Sequence, residues 1–348
     1  MHVNEQFLRP THLRCGVRRS TCWLARMNKF RPIFIAGAAR SGTTMLGSII
    51  GSSSQCIATP ESQFMTDLVA AAGWPGGHLR PGTARTILVR DPRFRIWEVD
   101  EAELFDDDEP ITTLRDLAER IVQAFAEGCG RSSVEVWVDH TPGSLFIWPY
   151  LREAFSEARF IHLVRDGRAV GASILPLDWG PVSIFDAARK WAREVGAGLA
   201  AETSSDFRGQ VRRVHYEQLV SDPAGTVKDL CRFCDITFDN AILNGKGFLV
   251  PAYTREQHAL VGSKPQASRA TEWKSKLSSR QIEIFEAEAG GLLQLLGYST
   301  LYWPAAEKQN AYEKWSARLR KLAVAPYNRA RHKRRRGHVG NVAQSAGN

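Results

Sequence analysis

No stretch of this chain is long and apolar enough to cross a bilayer as a helix: the best run, residues 32–39, stops at Arg40, well short of the roughly 18–20 residues a span needs. The chain is therefore expected to stay in water. Residues 1–30 carry scattered arginines and no apolar signal core, so a secretory signal is not expected, and Met27 offers a second start. Cysteine is sparse too. Its six positions, 15, 22, 56, 129, 231 and 234, lack the dense regular spacing of a disulfide scaffold and fit a reducing cytoplasm. Cys231 and Cys234 form a lone C-x-x-C with no second ligand pair. Both a zinc or redox role and two small core residues are open to them, and Leu230, Phe233 and Ile236 alongside favour the core. There is no H-E-x-x-H and no cluster of carboxylates, so no metal is expected.

What is present is a chain of 348 residues with 43% hydrophobic content, enough for a large buried core. The formal charge of +9 is unevenly placed. Residues 1–31 hold seven cations against Glu5, and residues 315–336 hold nine Lys/Arg and no acid. The body between them is net negative, which argues against a nucleic-acid-binding face, and no specific nucleic-acid partner is expected. The run His332, Lys333, Arg334, Arg335, Arg336 suits either a weak contact with an anionic membrane or a disordered solubilising tail. The expected location is the cytoplasm, at most peripheral to the inner membrane.

Alternating signals predict strands over 33–37, 134–138, 160–164 and 211–215, and helices over 44–51, 112–128, 144–155, 168–175, 184–201, 223–234 and 278–296. That alternation is the signature of a three-layer α/β/α fold, P-loop-like, around a central parallel sheet. The expected layout is a basic extension at 1–31, a domain at 32–300 and a basic tail at 301–348. Within it, residues 73–110 lose periodicity among Gly, Pro and Arg and end in the acidic run 106–109. They are expected to form an irregular insertion, a candidate acceptor lid.

Two segments carry the chemistry. Residues 33–50 read I-F-I-A-G-A-A-R-S-G-T-T-M-L-G-S-I-I, an apolar strand, a turn of small residues and a helix. Gly37 and Gly42 have P-loop spacing, but Thr43 and Thr44 stand where that motif has Lys and Ser/Thr. The turn amides and the helix N-terminus still favour an anion, while the lysine that reaches a γ-phosphate is missing. Arg40, Ser41, Thr43 and Thr44 add donors. The plainer alternative is an ordinary turn with Ser41 or Thr43 as N-cap. The second segment, 158–174, reads A-R-F-I-H-L-V-R-D-G-R-A-V-G-A-S-I. It places Arg165 at the end of a strand and Ser173 two turns into the next helix, a pairing suited to a phosphate monoester. Asp166 is expected to cap that helix or brace an arginine.

Together these segments resemble the superfamily of sulfotransferases that use 3′-phosphoadenosine-5′-phosphosulfate (PAPS). The likeness is greater to its tyrosylprotein and bacterial branches, with arginine in the first loop, than to the cytosolic branch with lysine there. Tyr216-Glu217-Gln218-Leu219 is similar to the family's Y-E-x-L, and Trp273 and Leu296-Gly297-Tyr298 extend the likeness over roughly residues 32–300. The resemblance implies that Arg40, Ser41, Gly42, Thr43 and Thr44 hold the 5′-phosphosulfate, that Arg165 and Ser173 hold the 3′-phosphate, and that Tyr216 belongs to the same cofactor site. Glu61, in T-P-E-S-Q-F, matches a family glutamate acting as general base, against the alternative of a solvated helix cap. His140, in D-H-T-P, departs from the pattern by standing where many relatives have lysine. It is a candidate catalytic donor with Arg40, or else a structural histidine.

The implied partner is an acceptor hydroxyl on a glycan, glycolipid or small metabolite, with a peptide tyrosine also open. Trp74, Phe94, Trp97, Trp148 and Trp179 offer stacking surfaces for it. The rival readings are a P-loop kinase and a non-catalytic nucleotide-binding protein of the same fold.

Overall fold

The computed structural model describes residues 30–73, 78–105, 113–248 and 266–345. Trp74, the acidic run 106–109, Cys15, Cys22 and most of the basic extension lie outside them. Five strands form one parallel sheet: β1 (Arg31–Ala36), β2 (Cys56–Ala58), β3 (Val136–Asp139), β4 (Arg159–Val164) and β5 (Val211–His215), in the order β2-β3-β1-β4-β5. Ile33 of β1 pairs with Val138 of β3, and Ile35 with Ile161 of β4. The chain crosses from β1 outward to β2, returns through β3 and leaves on the other side through β4, so the order reverses beside β1. In open parallel sheets that reversal opens a crevice at the carboxyl ends of the strands.

Because side chains alternate along a strand, β1 serves two cores. Phe34 and Ala36 face one that contains Trp137, Trp148, Phe155 and Phe160. Ile33 and Ile35 face another with Leu46, Val138, Ile161 and Leu230. A third core, around Trp191 and Phe285, joins the later helices. Helices cover both faces, as the three-layer reading requires. Those that matter for the site are α1 (Thr43–Gly51), α2 (Met65–Ala72), α3 (Pro81–Arg90), α4 (Glu101–Leu104) and α5 (Leu114–Gly128) before β3. After it come α6 (Trp148–Ala154), α7 (Gly167–Ile174), α8 (Ile184–Thr203), α9 (Tyr216–Ser221), α10 (Pro223–Phe233), α11 (Trp273–Lys276), α12 (Ser279–Leu295) and α13 (Ala311–Ser345).

Several expectations need correction. Residues 73–110 are not irregular where described: α3, the 3-10 turn Phe94–Trp97 and α4 pack Leu79, Leu88, Phe94, Trp97 and Leu104 into the core. Pro81 begins α3 where proline is tolerated, and Ala84 and Leu88, four apart, give it one buried side. The predicted helix over 144–155 splits into a 3-10 turn, Pro142–Ile147, and α6, each with proline in its first turn. Strand β2, three residues long, is too short to show alternation and was not expected. The tail is not disordered where described, since α13 runs from Ala311 to Ser345. No helix of the described residues is long and apolar enough to cross a membrane.

Candidate active site

Every strand delivers a candidate residue to the same carboxyl edge. Arg40 follows β1, Glu61 follows β2, His140 follows β3, Arg165 follows β4 and Tyr216 follows β5. The two anion loops are neighbours because β1 and β4 pair directly. Gly37 is required there, since a Cβ would fall 2.1 Å from the Leu163 carbonyl oxygen. Gly42 adopts φ +101, and a Cβ on it would meet the Tyr216 ring at 2.9 Å. Arg40 also takes a left-handed conformation, φ 73, which is uncommon for a residue with a side chain and marks a turn held by its surroundings.

The loops are tied together by arginines. Arg40 Nε donates to Ser173 Oγ at 3.3 Å. The Arg165 guanidinium donates to the Arg40 carbonyl at 3.0 Å and to the Arg269 carbonyl at 2.9 Å, and lies 4.2 Å from the Tyr216 ring centroid. Burial and then the Arg165 charge pull the Arg40 guanidinium below its usual value, with Glu61 opposing and Arg269 adding to the effect. Three cations crowded this way call for an anion. So do the donors around them: Ser41 Oγ, Arg165 Nε and Arg269 Nε are buried without a hydrogen-bond partner among the described residues. Helix α1 starts at Gly42, which provides no side-chain cap, so neither Ser41 nor Thr43 is the N-cap of the plainer alternative. Thr43 and Thr44 are buried in its first turn.

Behind the loops stands a frame of paired polar groups. Asp166 caps α7 through the Arg168 amide and also grips the Arg168 guanidinium, so both expected roles coexist. Arg168 reaches on to Glu286 at 2.7 Å and lies 4.0 Å from the Trp273 ring centroid. Glu217 accepts from the Asp166 amide and from the Tyr298 hydroxyl, which gives the Y-E-x-L and L-G-Y segments a shared structural purpose. Glu194 on α8 accepts from the Ala39 amide at 3.3 Å and braces the first loop.

Glu61 is half-buried in the connection from β2 to α2. Burial pushes its carboxyl above the usual carboxylate range, while a 2.6 Å hydrogen bond from Gln63 and the charges of Arg93 and Arg40 oppose that rise. Helix α2 begins only at Met65, so Glu61 does not sit in its first turn and the helix-cap alternative fails. The connection is pinned to β3: Asp139, 1% exposed, accepts from Ser62 Oγ at 2.9 Å and Thr141 Oγ1 at 2.6 Å. We expect Asp139→Ala, which strands those donors, to cost about 1–3 kcal/mol of stability. Thermal unfolding checks this, and an unchanged melting temperature would remove the clamp. His140, also 1% exposed, packs its ring over Gly47 and edge-on to Phe248 at 4.7 Å.

The structure thus gathers Arg40, Ser41, Gly42, Thr43, Thr44, Arg165, Ser173 and Tyr216 around one pair of loops, with Glu61 close enough for its charge to act on Arg40. Sequence reasoning missed Arg269, Arg93 and Glu194. Arg269 and Arg93 lie in short 3-10 elements or at their edge, and Glu194 belongs to the buried side of a long helix. None stands in a local motif that could have flagged it. Phe94, Trp97 and Trp148 are core residues at 3%, 1% and 0% exposure, so they do not offer stacking surfaces. Cys231 and Cys234 are buried with their thiols pushed up by burial, Cys231 to about 11, as two core residues should be. Among the described residues no group of His, Cys, Asp and Glu is arranged to hold a metal.

An open parallel sheet with paired anion loops at its switch point defines a class of proteins that bind phosphate- or sulfate-bearing ligands. Comparison with known proteins narrows the class. Residues 32–240 match the sulfotransferase family, and the chain belongs to that family. It is similar to protein-tyrosine sulfotransferase 1 of Danio rerio, 26% identical over 248 residues, covering 67% of this chain and 60% of that protein. The protein-tyrosine sulfotransferase of Drosophila melanogaster is 26% identical over 45% of this chain and 33% of its own length. The chain therefore spans about a third to three-fifths of these relatives. In fold it resembles the sulfotransferase domain of the Synechococcus PCC 7002 olefin synthase, with a TM-score of 0.52 at 18% identity over 85% of this chain and 100% of that one. A sulfotransferase domain from the curacin biosynthetic pathway follows at 0.50 and 16% identity, covering 77% and 98%.

Proposed function

We propose that this protein transfers a sulfuryl group from PAPS to an acceptor hydroxyl. The observation that carries the reading is the arginine-rich double loop with buried, unpartnered donors, built on a family in which sulfuryl transfer is the common chemistry. The residues present fit such a ligand. The first-loop amides with Ser41, Thr43 and Thr44 would hold the 5′-phosphosulfate, and Arg165, Ser173 and Arg269 the 3′-phosphate. Tyr216, packed beneath Gly42 and Arg165, supports both. PAPS supplies an activated sulfuryl group on a mixed anhydride.

The chain's own residues supply the rest. Charge shifts to the leaving oxygen in a loose in-line transfer, and Arg40, with His140 as a second donor, would stabilise it there. Glu61 takes the acceptor proton as the new bond forms. The missing P-loop lysine weighs against a kinase. The working layout remains a core domain at 32–300 between basic ends, with the cytoplasm as its compartment. Glycans, glycolipids and small metabolites are the proposed acceptors; the tyrosylprotein relatives favour a peptide tyrosine as the second reading. A screen of acceptor classes with radiolabelled PAPS tests the proposal. Label transferred to one class supports it, and none transferred to any class, with bisphosphate bound, would favour a non-catalytic nucleotide-binding protein.

The positive charge of Arg93 holds the Glu61 carboxyl down against burial. A general base works when deprotonated, so the acid limb of the rate profile follows the Glu61 pKa. Arg93→Gln removes the opposing charge, so Glu61 titrates higher and the acid limb moves to higher pH, with the plateau largely kept. A pH profile of kcat/KM checks this, and an unmoved limb would dissociate Arg93 from Glu61.

A further inference from the structure

Helix α13 has two unlike faces. On one, Arg320, Val324 and Asn328 share a cavity with Leu175, Val182 and Ile184 of the body, and Glu313 pairs with Arg280 at 2.7 Å. At 3.6 residues per turn these positions line one side of the helix. On the other side Tyr312, Trp315, Leu319 and Leu322 stand 72%, 58%, 45% and 74% exposed. Their spacing of three, four and three residues is that of a single helical stripe. The Tyr312 and Trp315 rings lie 6.3 Å apart within it.

Exposed Lys314, Arg318 and Lys321 border the stripe. No acid occurs among residues 315–336, against nine Lys/Arg. A continuous row of four large apolar side chains in water marks a surface that something covers.

We propose that α13 lies flat on an anionic lipid surface, with the stripe in the headgroup and acyl boundary and the flanking cations on the lipid phosphates. Both halves of the pattern are used by that partner. Trp and Tyr favour the bilayer interface, and each basic residue near an anionic surface adds attraction. A nucleic acid would satisfy the cations and leave the stripe in water. A second copy would cover the stripe but bring two cationic helices together. The helix lies on the membrane and does not cross it, since no described helix is apolar enough to span.

Sedimentation of the full chain with vesicles tests the inference. Binding is expected to phosphatidylcholine vesicles containing phosphatidylglycerol and not to phosphatidylcholine alone, and it should weaken as salt rises. The triple change Trp315→Ser, Leu319→Ser, Leu322→Ser keeps the charge and touches no core residue. It should lower partitioning by about tenfold or more while leaving the melting temperature unchanged. No binding to the anionic vesicles would overturn the proposal, as would full binding by the triple variant. So would light scattering showing a wild-type dimer that the triple variant abolishes, because a second copy would then occupy the face.

Discussion

Replacing Glu61 with glutamine is expected to lower turnover by roughly 10²-fold or more, the scale of a lost general base, while bisphosphate affinity stays near wild type. Glutamine keeps the size of the side chain and can still accept the 2.6 Å hydrogen bond from Gln63. What it cannot do is take a proton. Stability should move the other way. Burial raises the Glu61 pKa in the folded protein, so the folded state favours the protonated carboxyl. The stability this group contributes is fully present below its unfolded pKa and is lost as pH rises through the folded pKa. Glu61→Gln should therefore melt at or above the wild-type temperature, with the gap widest on the alkaline side. Progress curves and melting scans across pH decide this, and near-normal turnover by the variant would remove Glu61 from catalysis.

Arg165→Ala should weaken binding of 3′,5′-bisphosphoadenosine by at least about 1.5 kcal/mol, the order of one charged hydrogen bond, or more than about tenfold in Kd. The structure raises this expectation. Arg165 also spans the carbonyls of Arg40 and Arg269 and packs against Tyr216, so its loss loosens three elements that frame the pocket. Arg165→Lys keeps the charge without the fork and should recover only part of the affinity. Calorimetry on folded variants measures both, and an unchanged Kd for the alanine variant would exclude Arg165 from the 3′-phosphate site.

Much of this arrangement could be read before the structure, because anion loops are local. Gly37, Arg40 and Gly42 lie within a few residues of one another, as do Arg165 and Ser173, and the β-to-α alternation implies the parallel sheet that makes the two loops neighbours. Glu61 was legible only through resemblance, since its strand β2 is three residues long. Arg269 and Arg93 were not legible at all, for their importance arises from packing of distant 3-10 turns around the cleft. Residues 73–110 misled for a related reason. Their glycines, prolines and arginines hid a helix held by Ala84 and Leu88 and by rings that reach the core in pairs, Phe64 on Phe94 at 5.4 Å and on Trp97 at 5.3 Å. The amphipathic stripe of α13 was obscured likewise, because the basic run drew attention to charge and away from Tyr312, Trp315, Leu319 and Leu322.

The central claim is that the double loop recognises a nucleotide bearing both a 5′-phosphosulfate and a 3′-phosphate. Calorimetric titration of the wild-type chain with 3′,5′-bisphosphoadenosine, and separately with ATP in the presence of magnesium, tests it most directly. Stoichiometric binding of the bisphosphate without any metal, and much weaker binding of ATP without hydrolysis, is the predicted result. Failure to bind the bisphosphate, or magnesium-dependent turnover of ATP, would contradict the account.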